Sequence, residues 1–308
     1  RGARGGHGGS AGGGHDRTVA GRGRGRGPPR LSCPVVARRP GFFILGAPKC
    51  GTTALSEYLR RHERVFVSTP KEPHYFSEDF DYYYAPGERS LDHYLRLFDD
   101  ADERHLAVGE ASVWYLYSRA AAREIMRFDP SARVIVMVRN PVELVPSLHS
   151  QMSYMLDERE PDVERAWRLQ GARARGEGVP PTARVPAFLQ YGEAARLGAQ
   201  VRRVYEHVPA DQVKVLVLDD LRADAGAVYR GVLDFLGVPD DGRTEFPRVN
   251  ENKIHQSAAV ARLTQRPPAP LVAVARGVKR VAGVERLGVL DLVRRSNRQV
   301  APLAPLRP

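Results

Sequence analysis

The 308-residue chain predicts an α/β fold in three layers: a central parallel sheet with a P-loop-like core, flanked by helices. Three observations predict it. Short apolar runs alternate with stretches whose apolar residues recur at helical spacing, the pattern of strand–helix–strand units. Residues Val134 to Val138 are all apolar, as in a strand buried on both faces of a sheet. The first apolar run leads directly into a glycine-bounded loop, "GAPKCGTT" (46–53).

Taken in order, "FFIL" (42–45) reads as a short buried strand. The loop follows, and then a helix with Leu55, Tyr58 and Leu59 on one face. "RVFVSTP" (64–70) has strand character and stops at Pro70. "RVIVMVRNP" (133–141) supplies the buried strand, and Val145, Leu148, Met152 and Met155 then recur at helical spacing. "VKVLVLDDL" (213–221) repeats the strand signature, and Val228, Val232, Phe235 and Leu236 mark the helix after it. "RARGEGVPP" (173–181) reads as a mobile loop, and a short helix fits around 286–296.

Composition divides the chain in three. Residues 1–40 hold nine arginines against one acid, Asp16, so most of the net charge of +11 sits there. This glycine- and arginine-rich tail has too little apolar surface to offset its ordering entropy and is expected to be disordered. It is either a dispensable leader or an RNA-binding tail, and the rest of the chain gives no argument for nucleic acid. The domain proper spans 41–265, and 266–308 is a basic C-terminal extension that reads as cut short. The absence of Met at position 1 suggests a fragment or a processed start. No run of about 18 apolar residues is present, so no membrane span is expected. The two cysteines, Cys33 and Cys50, make neither a disulfide framework nor a zinc spacing.

The loop is nearly the phosphate loop G-x-x-x-x-G-K-[ST]. Thr52 stands where the triphosphatase lysine belongs, and Lys49 lies inside the loop. Gly46 and Gly51 allow a tight path, while Thr52 and Thr53 offer N–H and hydroxyl donors to an anion at a helix start. A second anion site follows from "VRNPVELVPS": Arg139 ends the buried strand, where α/β sheets bind ligands, and Ser147 lies eight residues on. Two such elements imply a ligand with phosphates at two distant points, unlike ATP.

These segments resemble the sulfotransferases that use 3′-phosphoadenosine 5′-phosphosulfate (PAPS), especially the carbohydrate branch with the heparan sulfate enzymes and their bacterial relatives. "GAPKCGTTAL" is similar to the family's 5′-phosphosulfate loop, which places Lys49, Cys50, Gly51, Thr52 and Thr53 on the donor. "VIVMVRNPVELVPS" resembles its 3′-phosphate motif, with Arg139 and Ser147 as ligands. "PKEPHYFS" (70–77) resembles the segment bearing a catalytic glutamate, which makes Glu72 the general base with His74 as support or rival. The resemblance also implies that Lys49 stabilises the leaving group without a metal, and that Lys71 and Glu110 serve the acceptor. Ala111 stands where the family often has a lysine. Lys253 and Ser257 fall where relatives close a loop over the nucleotide.

The implied reaction is sulfuryl transfer to a hydroxyl or amine of a carbohydrate or related small acceptor. Without the cysteine pair and anchor of Golgi members, a soluble, cytoplasmic, bacterial-type enzyme is implied. The aromatic residues Phe80, Tyr82, Tyr83, Tyr84, Tyr154 and Trp167 stand ready to stack on sugars or to pack. The competing readings are an RNA-associated protein and a P-loop kinase or other nucleotide phosphotransferase with Asp219 as its Walker B-like acid. The sequence does not set the oligomeric state.

Overall fold

Five strands build the sheet that carries the site: β1 (Phe42–Gly46), β2 (Val65–Val67), β3 (Ala107–Ala111), β4 (Arg133–Val138) and β5 (Val213–Val217). Their order is β2-β3-β1-β4-β5, and every pairing is parallel. The computed structural model describes residues 39–80, 89–247, 249, 253–255, 260–261, 264 and 296–300. Most of the predicted tail, Tyr82 to Tyr84, Ser257 and nearly all of the predicted 286–296 helix lie outside these residues.

All five residues of β1 are buried, so both faces of the sheet are covered at its centre. β3 and β4 flank it, and the chain's order reverses there. Ligands of open α/β sheets bind at such a reversal, beyond the carboxyl ends of the strands. The loop after β1 and the turn after β4 both lie at that end.

Ten α-helices connect or follow the strands among the described residues: α1 (Thr52–Arg60), α2 (Leu91–Leu95), α3 (Ala121–Phe128), α4 (Pro141–Tyr154), α5 (Val163–Arg168), α6 (Gln170–Ala174), α7 (Tyr191–Ala195), α8 (Leu197–Tyr205), α9 (Leu218–Ala223) and α10 (Ala225–Leu236). α1 buries the predicted face, Leu55, Tyr58 and Leu59. α4 starts cleanly because the Asn140 side chain accepts from the Val142 N–H and Pro141 occupies the first turn, where its missing N–H costs nothing. α10 is capped by Asp224, and it ends at Gly237, whose φ of 70° suits a glycine. No helix among the described residues is long and apolar enough to cross a membrane.

Two expectations change, and one strand, β3, carries no sequence signal. The predicted strand 213–221 stops at Val217, because Leu218 opens α9. The segment read as a mobile loop begins inside α6. There Arg173 is buried and makes paired hydrogen bonds of 2.7 and 2.8 Å to the carboxylate of Glu158. β3 has no periodic apolar signature, since its sequence is AVGEA, yet it is wholly buried. Gly109 is required within it: a Cβ there would lie 2.3 Å from the Phe42 carbonyl oxygen of β1. A small antiparallel pair joins β6 (Lys253–His255) to β7 (Arg298–Val300), so a strand of the predicted extension pairs with one of the predicted domain.

Candidate active site

The loop after β1 is shaped by residues that accept positive φ. Gly46 has φ 127°, and a Cβ on it would lie 2.1 Å from the Val113 carbonyl oxygen. Gly51 has φ 88° and is the N-cap of α1, where it offers no side chain to cap the helix. Four non-glycine residues among those described have positive φ: Lys49 (64°), Glu72 (67°), His74 (52°) and Leu156 (62°). Three of these are the residues the sequence marks as catalytic. Each such conformation costs about 1–3 kcal/mol and persists only where its surroundings enforce it, as they do at functional sites.

Lys49 donates to the side-chain oxygen of Gln151 on α4 at 3.3 Å. Its own carbonyl accepts a 3.1 Å hydrogen bond from Arg139, just past the end of β4. The two expected anion-binding elements are therefore in direct contact. Arg139 is also ion-paired with Glu143, which lies 3.2 Å from Arg222, and Arg222 in turn holds Asp219 at 2.8 Å. Asp219, the acid a kinase would need, is thus engaged on the surface by Arg222. Ser147 is buried in α4, and β6, the strand that contains Lys253, packs against that helix.

Cys50 departs from expectation. Its thiol is fully buried and donates to the Pro48 carbonyl, while its N–H donates to Ala47. Neither group is turned outward to a donor molecule. Burial pushes the thiol pKa up to about 12. Thr52 is buried as well, whereas the Thr53 hydroxyl accepts from Lys71 Nζ at 3.4 Å.

Lys71 joins this loop to the second segment, for its Nζ also lies 2.9 Å from Glu72 Oε1. The Glu72 side chain is 36% exposed, and its other oxygen is 3.5 Å from His74 Nε2. Burial alone would raise the Glu72 pKa. The neighbouring His74 ring and the Lys71 ammonium outweigh it and hold the carboxyl at about 2. His74 has no exposed surface, and burial lowers its pKa, so the imidazole is neutral at pH 7.

Glu110 sits behind this pair. It has no exposed surface, which leaves no face for the acceptor contact expected of it. Its carboxylate accepts from the hydroxyls of Ser112 at 2.6 Å, Tyr115 at 2.8 Å and Tyr94 at 3.1 Å. Burial drives its pKa up to about 7, and the Glu72 charge adds to the rise against the opposing hydroxyl bonds. Sequence reasoning missed Gln151, Arg222, Ser112, Tyr115 and Tyr94. For all but Tyr94 the available signal was nearness in sequence to marked residues, which says nothing of contact; Tyr94 had none.

The sulfotransferase domain model matches residues 39–256. The chain belongs to this family. Among solved structures, the sulfotransferase from Alicyclobacillus acidocaldarius is similar at 29% identity and a TM-score of 0.59, covering 82% of this chain and 99% of that one. Human carbohydrate sulfotransferase 15 is 34% identical over an alignment covering 34% of this chain and 26% of that protein. Human heparan sulfate glucosamine 3-O-sulfotransferase 6 is 34% identical over 40% of this chain and 33% of its own length. The chain thus spans a third or less of either curated relative. The sulfotransferase family implies a PAPS donor and a sulfate acceptor.

Proposed function

We propose that the chain transfers the sulfuryl group of PAPS to a carbohydrate hydroxyl. The observation that carries this reading is the bridge made by Lys71, which sets the Glu72 carboxylate beside the start of α1 at the end of the phosphate-type loop. Two further features suit an anionic donor. The N-cap of α1 is Gly51, which has no side chain to cover the helix start, and the buried Nε of Arg139 has no hydrogen-bond partner among the described residues. The carbohydrate assignment follows the two human relatives, a carbohydrate sulfotransferase and a heparan sulfate glucosamine 3-O-sulfotransferase.

PAPS supplies the activated sulfur and a phosphate leaving group. The loop amides, Gly51, Thr53 and Lys49 hold the phosphosulfate end, with the ammonium of Lys49 offsetting charge on the departing oxygen. Arg139 and Ser147 serve the 3′-phosphate, for which Glu143 yields the guanidinium. Lys253 is assigned to the nucleotide by the family resemblance, its strand β6 being packed against α4, the helix that carries Ser147. As the acceptor oxygen bonds to sulfur and the S–O bond to the leaving phosphate breaks, the acceptor proton passes to Glu72. Glu72 is ionised at neutral pH and can take it. His74 fixes the carboxylate from behind, and Lys71 moves from Glu72 toward the sulfuryl oxygens.

Transfer of labelled sulfate from PAPS to a panel of heparan sulfate, chondroitin and simple sugars tests the proposal. Label should appear on at least one glycan with the wild-type chain and vanish with Glu72→Gln. No transfer to any member of the panel, with no binding of 3′,5′-adenosine bisphosphate, would contradict it.

A further inference from the structure

Glu110 and Glu158 are both carboxylates with fully buried side chains, but they are answered differently. Glu158 faces the Arg173 guanidinium. Among the described residues, Glu110 accepts hydrogen bonds from three hydroxyls and from no cation. A buried charge without a counter-charge opposes folding, so its place in β3 calls for another explanation.

The explanation lies in what two of those hydroxyls do next. Ser112 Oγ, which donates to Glu110, accepts the backbone N–H of His74 at 3.0 Å. The Tyr115 hydroxyl, which also donates to Glu110, accepts the backbone N–H of Phe76 at 3.1 Å. A hydroxyl has one proton. With that proton claimed by the carboxylate, its lone pairs are turned to the amides. The same stretch is tied to β3 again where the Glu72 N–H donates to the Ala111 carbonyl at 3.0 Å. Between these ties lie the left-handed residues Glu72 and His74.

We propose that Glu110 is a positioning residue. By fixing the hydroxyl directions of Ser112 and Tyr115, it clamps the 72–76 segment and holds Glu72 and His74 in their left-handed backbone for sulfuryl transfer. The inference rests on the reading of Glu72 as the base. The groups facing Glu110 are Tyr94 from α2, Ser112 and Tyr115 beyond β3, and the segment bearing Lys71, Glu72 and His74. A protonated Glu110 becomes a donor and forces one of the three hydroxyls to turn away, so the clamp loosens as pH falls through the neutral range.

Glu110→Gln tests this in the full chain. Glutamine can still accept two hydroxyls at its oxygen, but it sets an N–H against Ser112. Amide exchange of His74 should quicken by about tenfold or more at pH 8, with Phe76 less affected. The affinity for 3′,5′-adenosine bisphosphate should stay unchanged, and kcat for sulfuryl transfer from PAPS to heparan sulfate, used as probe, should fall without a rise in KM. Corrected for intrinsic rates, wild-type exchange at His74 should rise as pH drops below about 7 and should stay flat in the variant. Should Glu110→Gln fold poorly, Ser112→Ala removes the same relay, and the double variant should be no worse than either single one. Tyr94→Phe deletes the one of the three donors that accepts neither the His74 nor the Phe76 N–H, and should leave His74 exchange as in wild type. Wild-type exchange at His74 in both Glu110→Gln and Ser112→Ala would overturn the proposal, and so would equal loosening by Tyr94→Phe. Failure of the wild-type chain to bind the bisphosphate would instead overturn the sulfotransferase reading and leave the exchange result valid.

Discussion

The guanidinium of Arg139 donates a 3.1 Å hydrogen bond to the backbone carbonyl of Lys49, so the residue following β4 holds the loop following β1. The pair unites the two motifs on which the functional reading stands. Arg139→Ala should weaken binding of 3′,5′-adenosine bisphosphate by at least about tenfold and lower unfolding stability by about 1–3 kcal/mol, the range for a lost charged hydrogen bond. Calorimetric titration and denaturant melts measure the two effects. Arg139→Lys should not restore binding, because one ammonium cannot reproduce the fork that meets both Lys49 and Glu143.

Glu72→Gln keeps the shape of the side chain and removes its capacity to take a proton. Bisphosphate affinity should be preserved and turnover should fall by about 100-fold or more, as for loss of a general base. Retained turnover in this variant together with loss in His74→Ala would move the base role to His74.

Glu110 gives the protein a pH signature. Its pKa rises on folding from 4.5 to about 7. Its contribution to stability is therefore complete below 4.5 and is lost as pH climbs through about 7. Denaturant melts from about pH 5 to about pH 8 should show wild type losing stability relative to Glu110→Gln. Glu72, whose pKa is lowered to about 2, acts in the opposite sense: its contribution is present above 4.5 and fades only toward strong acid. His74, kept neutral by burial, also acts oppositely, but both proteins contain it, so the difference between their curves isolates Glu110.

Gly46→Ala and Gly109→Ala should prevent accumulation of folded protein, because each new methyl would meet a backbone carbonyl oxygen, at 2.1 and 2.3 Å. Gly171→Ala, in α6 with nothing within 4 Å of the added methyl, should be neutral or raise stability by up to about 1 kcal/mol. Soluble yield and melting temperature separate the two classes.

How far the sequence discloses the protein follows from which physical signals are local. β1 and β4 are legible because burial on both faces writes unbroken apolar runs. β3 is illegible because its identity is set by neighbours. Gly109 is required by the backbone of β1, and Glu110 is tolerated only because Ser112, Tyr115 and Tyr94 converge on it. The motifs around Lys49, Glu72 and Arg139 could be found as strings, and the structure brings them to one end of the sheet. The left-handed backbone at Lys49, Glu72 and His74 could not be read, since lysine and glutamate rarely adopt it and histidine, though enriched there, does so in only a small minority of cases. Cys50 looks like part of a ligand loop in sequence, yet its thiol is turned into the core.

The most direct measurement is the shift in melting temperature with 3′,5′-adenosine bisphosphate, set against ADP with Mg²⁺. The account predicts stabilisation by the bisphosphate alone, diminished in Lys49→Ala and in Arg139→Ala. Stabilisation by ADP with Mg²⁺ and none by the bisphosphate would contradict it.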